Sequence, residues 1–202
     1  MGFYANHVLP RLIELCMSSK ELAEHRARII PAAAGTVVEL GLGSGLNLRF
    51  YGGSVKRLYG VEPSAKLLEM AGPRAAAVAF PVEFLQQSAE RLPFDDASID
   101  TVVVTWALCS IREPRSALRE AKRVLRPSGQ LIFVEHGRSP ERSVERWQDR
   151  LNPLWRRLAG GCNLNRKVDA LIGEAGFEIT ELRNSYLSGP RPMTYTYEGR
   201  AA

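Results

Sequence analysis

Apolar and polar positions along the chain fall into alternating short runs. Thr36 to Leu40 is a β-branched apolar run that stops at a glycine cluster, and the pattern predicts a buried parallel strand there. Arg57 to Val61 and Val82 to Leu85 read as two further short strands, separated by a helix from about Ser64 to Ala71. Thr101 to Trp106 (TVVVTW) is the most strand-like stretch of all. A helix from Pro114 to Leu125 is stopped by Pro127-Ser128-Gly129, a turn signal, and Leu131 to Glu135 follows as the fifth strand. Val8 to Met17 reads as a helix ahead of all of these.

Strands and helices alternating at this spacing predict an α/β fold, an open and mostly parallel sheet with helices on both faces. The C-terminal part differs. Glu141 to Ala159 and Val168 to Ala175 read as helices, with Pro153 expected to kink or split the first. Phe177 to Tyr186 and Pro192 to Tyr197 read as strands joined through Ser188-Gly189-Pro190. That connection is too short for a helical crossover, so the final pair is expected to be antiparallel.

The chain has 202 residues, which suits one domain, and 45% hydrophobic with 24% charged residues is ordinary globular composition. No linker marks a second domain. The expected division is an N-terminal helical lid over 1–30, a ligand-binding half over 31–137, and a helical insert with the antiparallel hairpin over 138–202. The net charge of +5 is a mild excess with no basic stripe of interleaved aromatics, so a nucleic-acid partner is not expected. Three cysteines, Cys16, Cys109 and Cys162, with no C-x-x-C spacing, fit a reducing compartment and point to no metal site. No apolar run approaches the roughly 20 residues of a membrane helix, and the N-terminus lacks a signal-peptide layout. A cytoplasmic location is expected.

Val37-Val38-Glu39-Leu40-Gly41-Leu42-Gly43-Ser44-Gly45 is the strongest local signal. Glycines after a strand let the backbone turn tightly and approach a ligand closely. The dinucleotide fingerprint is G-x-G-x-x-G, whereas here the spacing is G-x-G-x-G, with Glu39 two positions ahead. A carboxylate repels a pyrophosphate and attracts a cation. Glu62 ends the second strand, where a carboxylate accepts both hydroxyls of a ribose. An adenosine ligand carrying positive charge and no phosphate fits this set.

These residues resemble those of the class I S-adenosylmethionine-dependent methyltransferases. So do Gln87-Ser88-Ala89-Glu90 before Leu92-Pro93-Phe94, and Leu118 to Gly129 before the fifth strand. The resemblance spans about Thr36 to Tyr197. It implies a Rossmann-like seven-stranded sheet with an antiparallel last strand, and S-adenosyl-L-methionine as cofactor. It places the methionine part against Glu39, Gly41, Gly43 and Gly45, the ribose on Glu62 flanked by Pro63 and Ser64, and the adenine edge on Ser88 and Ala89. Many relatives have Asp where Ser88 stands. By analogy with other class I enzymes, Tyr4 and His7 belong to a segment closing over the cofactor.

In open α/β sheets the ligand crevice lies beyond the carboxyl ends of the strands. That position is taken by Thr105-Trp106-Ala107-Leu108-Cys109-Ser110 and Glu135-His136-Gly137. His136, titrating near neutrality, is the candidate base; the alternative is a histidine that only orders its loop. Cys109 is either a substrate contact or a small buried hydrophobe, and Trp106 either a pocket wall or a cation–π platform. Leu108-Cys109-Ser110, Val134-Glu135-His136 and Gly160-Gly161-Cys162-Asn163-Leu164 resemble the alkyl-thiol methyltransferase group, near phosphatidylethanolamine N-methyltransferases and ubiquinone/menaquinone C-methyltransferases. The implied reaction is methylation of a small thiol, with Cys109, His136, Trp147 and Asn163 around the acceptor; the alternatives are N-methylation of a phospholipid amine or C-methylation of a quinol precursor, and, from another class, a non-catalytic cofactor-binding module at a membrane surface. Trp147, Leu151, Leu154, Trp155 and Leu158 recur at helical spacing among arginines. Three readings stay open for them: plain packing on the sheet, a lid, or a weak membrane-surface contact.

Overall fold

Successive residues of the central strands belong to different cores. Val38, Leu40, Val102, Val104, Leu131 and Phe133 join one buried cluster, and Val37, Val103, Ile132 and Val134 join another. This is the period-two alternation of strands covered on both faces. The computed structural model describes residues 8–202. Its strands are β1 (Gly35–Leu40), β2 (Val55–Val61), β3 (Val82–Leu85), β4 (Ile99–Thr105), β5 (Leu125–His136), β6 (Ile179–Tyr186) and β7 (Tyr195–Ala201). Its helices are α1 (Leu9–Met17), α2 (Lys20–Ile29), α3 (Ala65–Ala75), α4 (Pro114–Val124), α5 (Arg142–Leu158), α6 (Val168–Glu174) and the single turn α7 (Arg191–Thr194).

The seven strands form one sheet in the order β3-β2-β1-β4-β5-β7-β6. β3, β2, β1, β4 and β5 pair in parallel, and β7 lies antiparallel between β5 and β6. This is the expected Rossmann-like arrangement. Ala117 and Leu118 of α4 with Leu171 and Ile172 of α6 cover one face. Ile29 of α2 with Leu68 and Ala71 of α3 cover the other.

Three local expectations are corrected. Pro127-Ser128-Gly129 does not precede the fifth strand; it is a bulge within β5, where pairing jumps from Ile99↔Leu125 to Thr101↔Gln130. Pro192 does not open the last strand. It sits in the first turn of α7, where proline's missing N–H costs nothing, and β7 starts at Tyr195. α5 runs through Pro153 as one helix of 17 residues. α2 carries only Leu22 and Ile29 as buried apolar residues, too few to mark it in the sequence, and polar anchors add to them.

Glu198 of β7 is buried and holds α2 by two side chains. It accepts from Arg28 Nε at 2.6 Å and Arg28 Nη2 at 2.8 Å, and is paired with His25 Nδ1. Burial works against its charge, but these contacts win and hold its pKa down to about 2. The folded value lies below the unfolded one, so the contribution is full above about pH 4.5 and is lost as pH falls through 2. Glu198→Ala is expected to lower stability by about 2 kcal/mol at pH 7, read from the urea midpoint, and to flatten acid unfolding in that window.

Candidate active site

The strand order reverses between β1 and β4, and at such a switch point the carboxyl ends of two strands part to leave a crevice. After β1 the chain crosses the end of β2, with Gly41 and Leu42 N–H donating to Val61 O at 2.8 and 3.1 Å. Gly41, Gly43 and Gly45 all have positive φ, of 74°, 58° and 79°. A cavity of about 710 Å³ opens at this point.

Glu39, Gly41 and Gly43 form its floor, and Glu62, Pro63 and Ser64 the side beyond β2. Ser88 and Ala89 follow β3 into the same cavity, and Thr105 and Trp106 reach it from the end of β4. The ligand residues expected from the sequence thus converge, Gly45 excepted. Gly45 is buried under the loop, where a Cβ would meet Leu48 Cδ1 at 2.8 Å and Ala71 Cβ at 3.2 Å, so it packs the loop onto α3. Tyr4 and His7 lie outside the described residues.

Glu39 is the hub of the floor. It is buried; Tyr51 Oη donates to its Oε2 at 2.6 Å and Asn47 Nδ2 to its Oε1 at 2.8 Å. Asn47 Nδ2 also donates to Thr105 Oγ1 at 2.9 Å, while its Oδ1 accepts from Arg26 Nε at 3.0 Å. Burial outweighs these contacts and pushes the Glu39 carboxyl up to about 7. Glu62 is fixed by backbone: Gly43 N–H donates to Oε2 at 3.1 Å and Ser64 N–H to Oε1 at 2.9 Å. Its pKa is also raised by burial.

The sequence reading missed Arg26, Asn47 and Tyr51. Asn47 and Tyr51 follow the glycine loop closely, and a buried strand-end acid needs donors nearby, which is the signal that was available. Arg26 lies in a polar helix with no such signal. Its guanidinium stacks 4.7 Å from the Trp106 ring, and His25 meets the same ring edge-on at 6.5 Å. Trp106 therefore serves as both wall and cation–π platform. It holds φ of 48°, with its N–H donating to Val134 O at 2.7 Å.

α1 closes the opposite side with Leu9, Pro10, Ile13 and Met17. It is fastened to the glycine loop through Glu14, which pairs with Arg74 Nη2 at 2.6 Å and accepts from Ser44 Oγ. Ser110, Ile111 and Arg112 continue the wall after β4, and Ala159 and Gly160 meet it from the end of α5.

The residues expected around the acceptor sit differently. His136 lies behind this wall with Nε2 3.0 Å from Cys162 Sγ. Cys109 is buried, and Asn163 N–H and Nδ2 donate to its carbonyl at 2.9 and 2.8 Å. Trp147 is not a pocket residue: it is 54% exposed on α5, with Arg150 over its ring. α5 turns Val144 and Gln148 inward and leaves Trp147 and Leu154 outward, because Gln148 takes the buried position by bonding Ser139 N–H, Gly137 O and Pro192 O. Among the described residues no helix is long and apolar enough to cross a membrane.

Residues 38–133 match a family model described as a methyltransferase domain. The chain is 35% identical over 178 residues to thiol S-methyltransferase TMT1B of Homo sapiens, covering 82% of this chain and 68% of that protein. It is 34% identical over 151 residues to thiol S-methyltransferase TMT1B of Rattus norvegicus, covering 73% of this chain and 62% of that protein's length. A solved SAM-dependent methyltransferase of Thermotoga maritima, titled a possible histamine N-methyltransferase, superposes with a TM-score of 0.67 over 98% of both chains at 22% identity.

Proposed function

The chain belongs to the S-adenosylmethionine-dependent methyltransferases, and from that premise we propose that it methylates the sulfur of a small thiol. The observation that carries this reading is one cavity lined by two buried carboxylates, Glu39 on the floor and Glu62 on the side, and closed by an apolar wall from α1. The donor set suits the cofactor: carboxylates for a cation and for hydroxyls, with loop glycines that leave room for close approach. Bound, S-adenosylmethionine supplies an electrophilic methyl group on a sulfonium.

Glu39 would lie against the cationic methionine part, with Tyr51 and Asn47 holding its oxygens in place. Glu62, clamped by the Gly43 and Ser64 N–H groups, would accept the ribose hydroxyls. Ser88 and Ala89 would meet the adenine edge, and Leu9, Ile13 and Ile111 would exclude water from the acceptor side. Alignment of the two sulfurs for in-line displacement is what these walls contribute.

A small thiol with pKa about 8.5 is already a few per cent thiolate at neutral pH, so the cavity needs no base. Among the described residues that line it there is no histidine or cysteine. We therefore assign proton loss to the acceptor itself and not to His136. At saturating cofactor, kcat/KM is expected to rise with pH along each thiol's own titration. A single inflection near neutrality shared by thiols of different acidity would restore the base role to a protein group.

The deciding assay is release of S-adenosylhomocysteine with three acceptor sets: small thiols including sulfide, phosphatidylethanolamine vesicles, and a quinol-precursor phenol. Turnover is expected with the thiols. Turnover only with vesicles or with the phenol would overturn the thiol assignment and leave the methyltransferase standing.

A further inference from the structure

Behind the cavity wall, three side chains far apart in sequence converge. Cys109 follows β4, His136 ends β5, and Cys162 lies between α5 and α6. Cys109 Sγ, a His136 ring nitrogen and Cys162 Sγ all lie within 4.8 Å of one another, with the His136–Cys162 contact at 3.0 Å. We propose that Cys109, His136 and Cys162 form a binding site for a thiophilic divalent cation, zinc(II) by its donor set, with water as the fourth ligand.

The chemistry of the set points this way. Two sulfurs and an imidazole are the donors that zinc takes, at about 2.3 Å from sulfur and 2.0–2.1 Å from nitrogen. In a tetrahedron those bond lengths put donor atoms roughly 3.5 Å apart. The observed cluster requires shifts of tenths of an ångström to about one ångström, within side-chain rotation.

Polar groups face both sulfurs, and Cys109 Sγ also lies 3.5 Å from Trp106 O. Trp155 Nε1–H donates to Cys162 Sγ at 3.2 Å, and Ser110 Oγ lies 3.5 Å from Cys109 Sγ. A donor to a ligand sulfur, as Trp155 is to Cys162, orients a metal's ligands and tunes its charge. Next to His136, Glu135 is fully buried; its Oε1 accepts from Ala107 and Leu108 N–H at 2.7 and 2.9 Å, while its Oε2 has no partner.

The frame holding the donors is rigid. Asn163 bonds the Cys109 carbonyl twice, through N–H and Nδ2, and Arg166 Nη1 bonds the carbonyls of Leu108 and of Ile111, the latter at 2.7 Å. The two cysteine-bearing loops are therefore latched to one another by hydrogen bonds that do not involve the sulfurs. Sites preorganised in this way lose little on metal binding.

The test uses the reduced full-length protein, stripped with a chelator and titrated with cobalt(II) in the absence of oxygen. The expected result is one cobalt per chain, with a thiolate-to-cobalt charge-transfer band in the near ultraviolet and intense visible bands of tetrahedral geometry, all displaced by zinc. Cys109→Ser and Cys162→Ser are each expected to weaken binding by about tenfold or more and to diminish the charge-transfer band, whereas Cys16→Ser leaves it unchanged. Wild-type protein with all three thiols free by titration, folded by circular dichroism, and no charge-transfer band would overturn the proposal without recourse to any variant. So would a band that survives in Cys109→Ser/Cys162→Ser.

Discussion

Gly41→Ala is expected to lower stability by about 3 kcal/mol or more and to abolish measurable cofactor binding. Two independent costs add. Gly41 has φ of 74°, where an L side chain costs roughly 1–2 kcal/mol. Its Cβ would stand 2.4 Å from Ala107 Cβ, the first residue past Trp106 in the opposing loop. Neither methyl sits on a flexible side chain, so relief requires moving one of the two loops that frame the cavity. Gly43→Ala is the control. Its φ of 58° carries the same conformational cost, but a Cβ there has nothing nearer than Gly41 O at 4.0 Å. That variant is expected to lose about 1 kcal/mol, so the difference between the two isolates the clash. Thermal or urea unfolding measures it, and Ala107→Gly added to Gly41→Ala is expected to restore most of it, as a double-mutant coupling. Equal losses in the two single variants would show that backbone strain alone governs the loop.

How far the sequence carried depends on which forces shaped each element. β1 and β4 are covered on both faces, so each centres on a compact run of valines, Val37–Val38 and Val102–Val104, and their boundaries are legible to within two residues. β7 was placed too early because Pro192 and Met193 continue the apolar pattern while lying in a helical turn. α2 lies in the region 1–30 expected to be helical but had no bounds there, because its polar anchors, Arg28 and His25 on Glu198 of β7 and Arg26 on Asn47, alone read as a solvated surface.

The site divides in the same way. Glu39, Glu62 and the glycine loop follow strand ends, and strand ends in a parallel sheet gather at one edge. Position along the chain therefore translates directly into position in space. Arg26, from a helix packed on the opposite side of the loop, has no such rule. Cys109, His136 and Cys162 were read singly, as a buried thiol, a base and part of a family motif. Their convergence depends on the latch between Asn163 and Cys109, which spans 54 residues. Trp147 shows the converse error: helical spacing identifies a stripe, but Gln148, with three hydrogen-bond partners, decides which side of α5 faces inward.

Glu39→Gln is expected to weaken S-adenosylmethionine binding by about 100-fold while leaving the fold intact. The amide is the same size, its oxygen still accepts from Asn47 Nδ2, and the Tyr51 hydroxyl can rotate to accept where it now donates. What is removed is a negative charge at the floor of a buried site, where a cationic ligand gains most from it. The pH dependence supplies a signature that loss of packing lacks. With its pKa pushed up to about 7 by burial, the Glu39 carboxyl is protonated below neutrality in the free protein, and a cationic ligand must draw off that proton to bind. Wild-type affinity is therefore expected to fall by about tenfold per unit as pH drops below 7 and to level off above it. The sign is opposite for stability: a carboxyl whose folded pKa exceeds its unfolded value favours the ligand-free fold at low pH, an advantage that declines as pH rises from 4.5 to 7. Binding isotherms at several pH values separate the two readings. In Glu39→Gln the slope below pH 7 disappears along with the affinity, whereas a variant that merely loosened the floor would bind weakly and keep the wild-type slope. Persistence of that slope in the glutamine variant would move the titrating group to Glu62, the other buried carboxylate that lines the cavity.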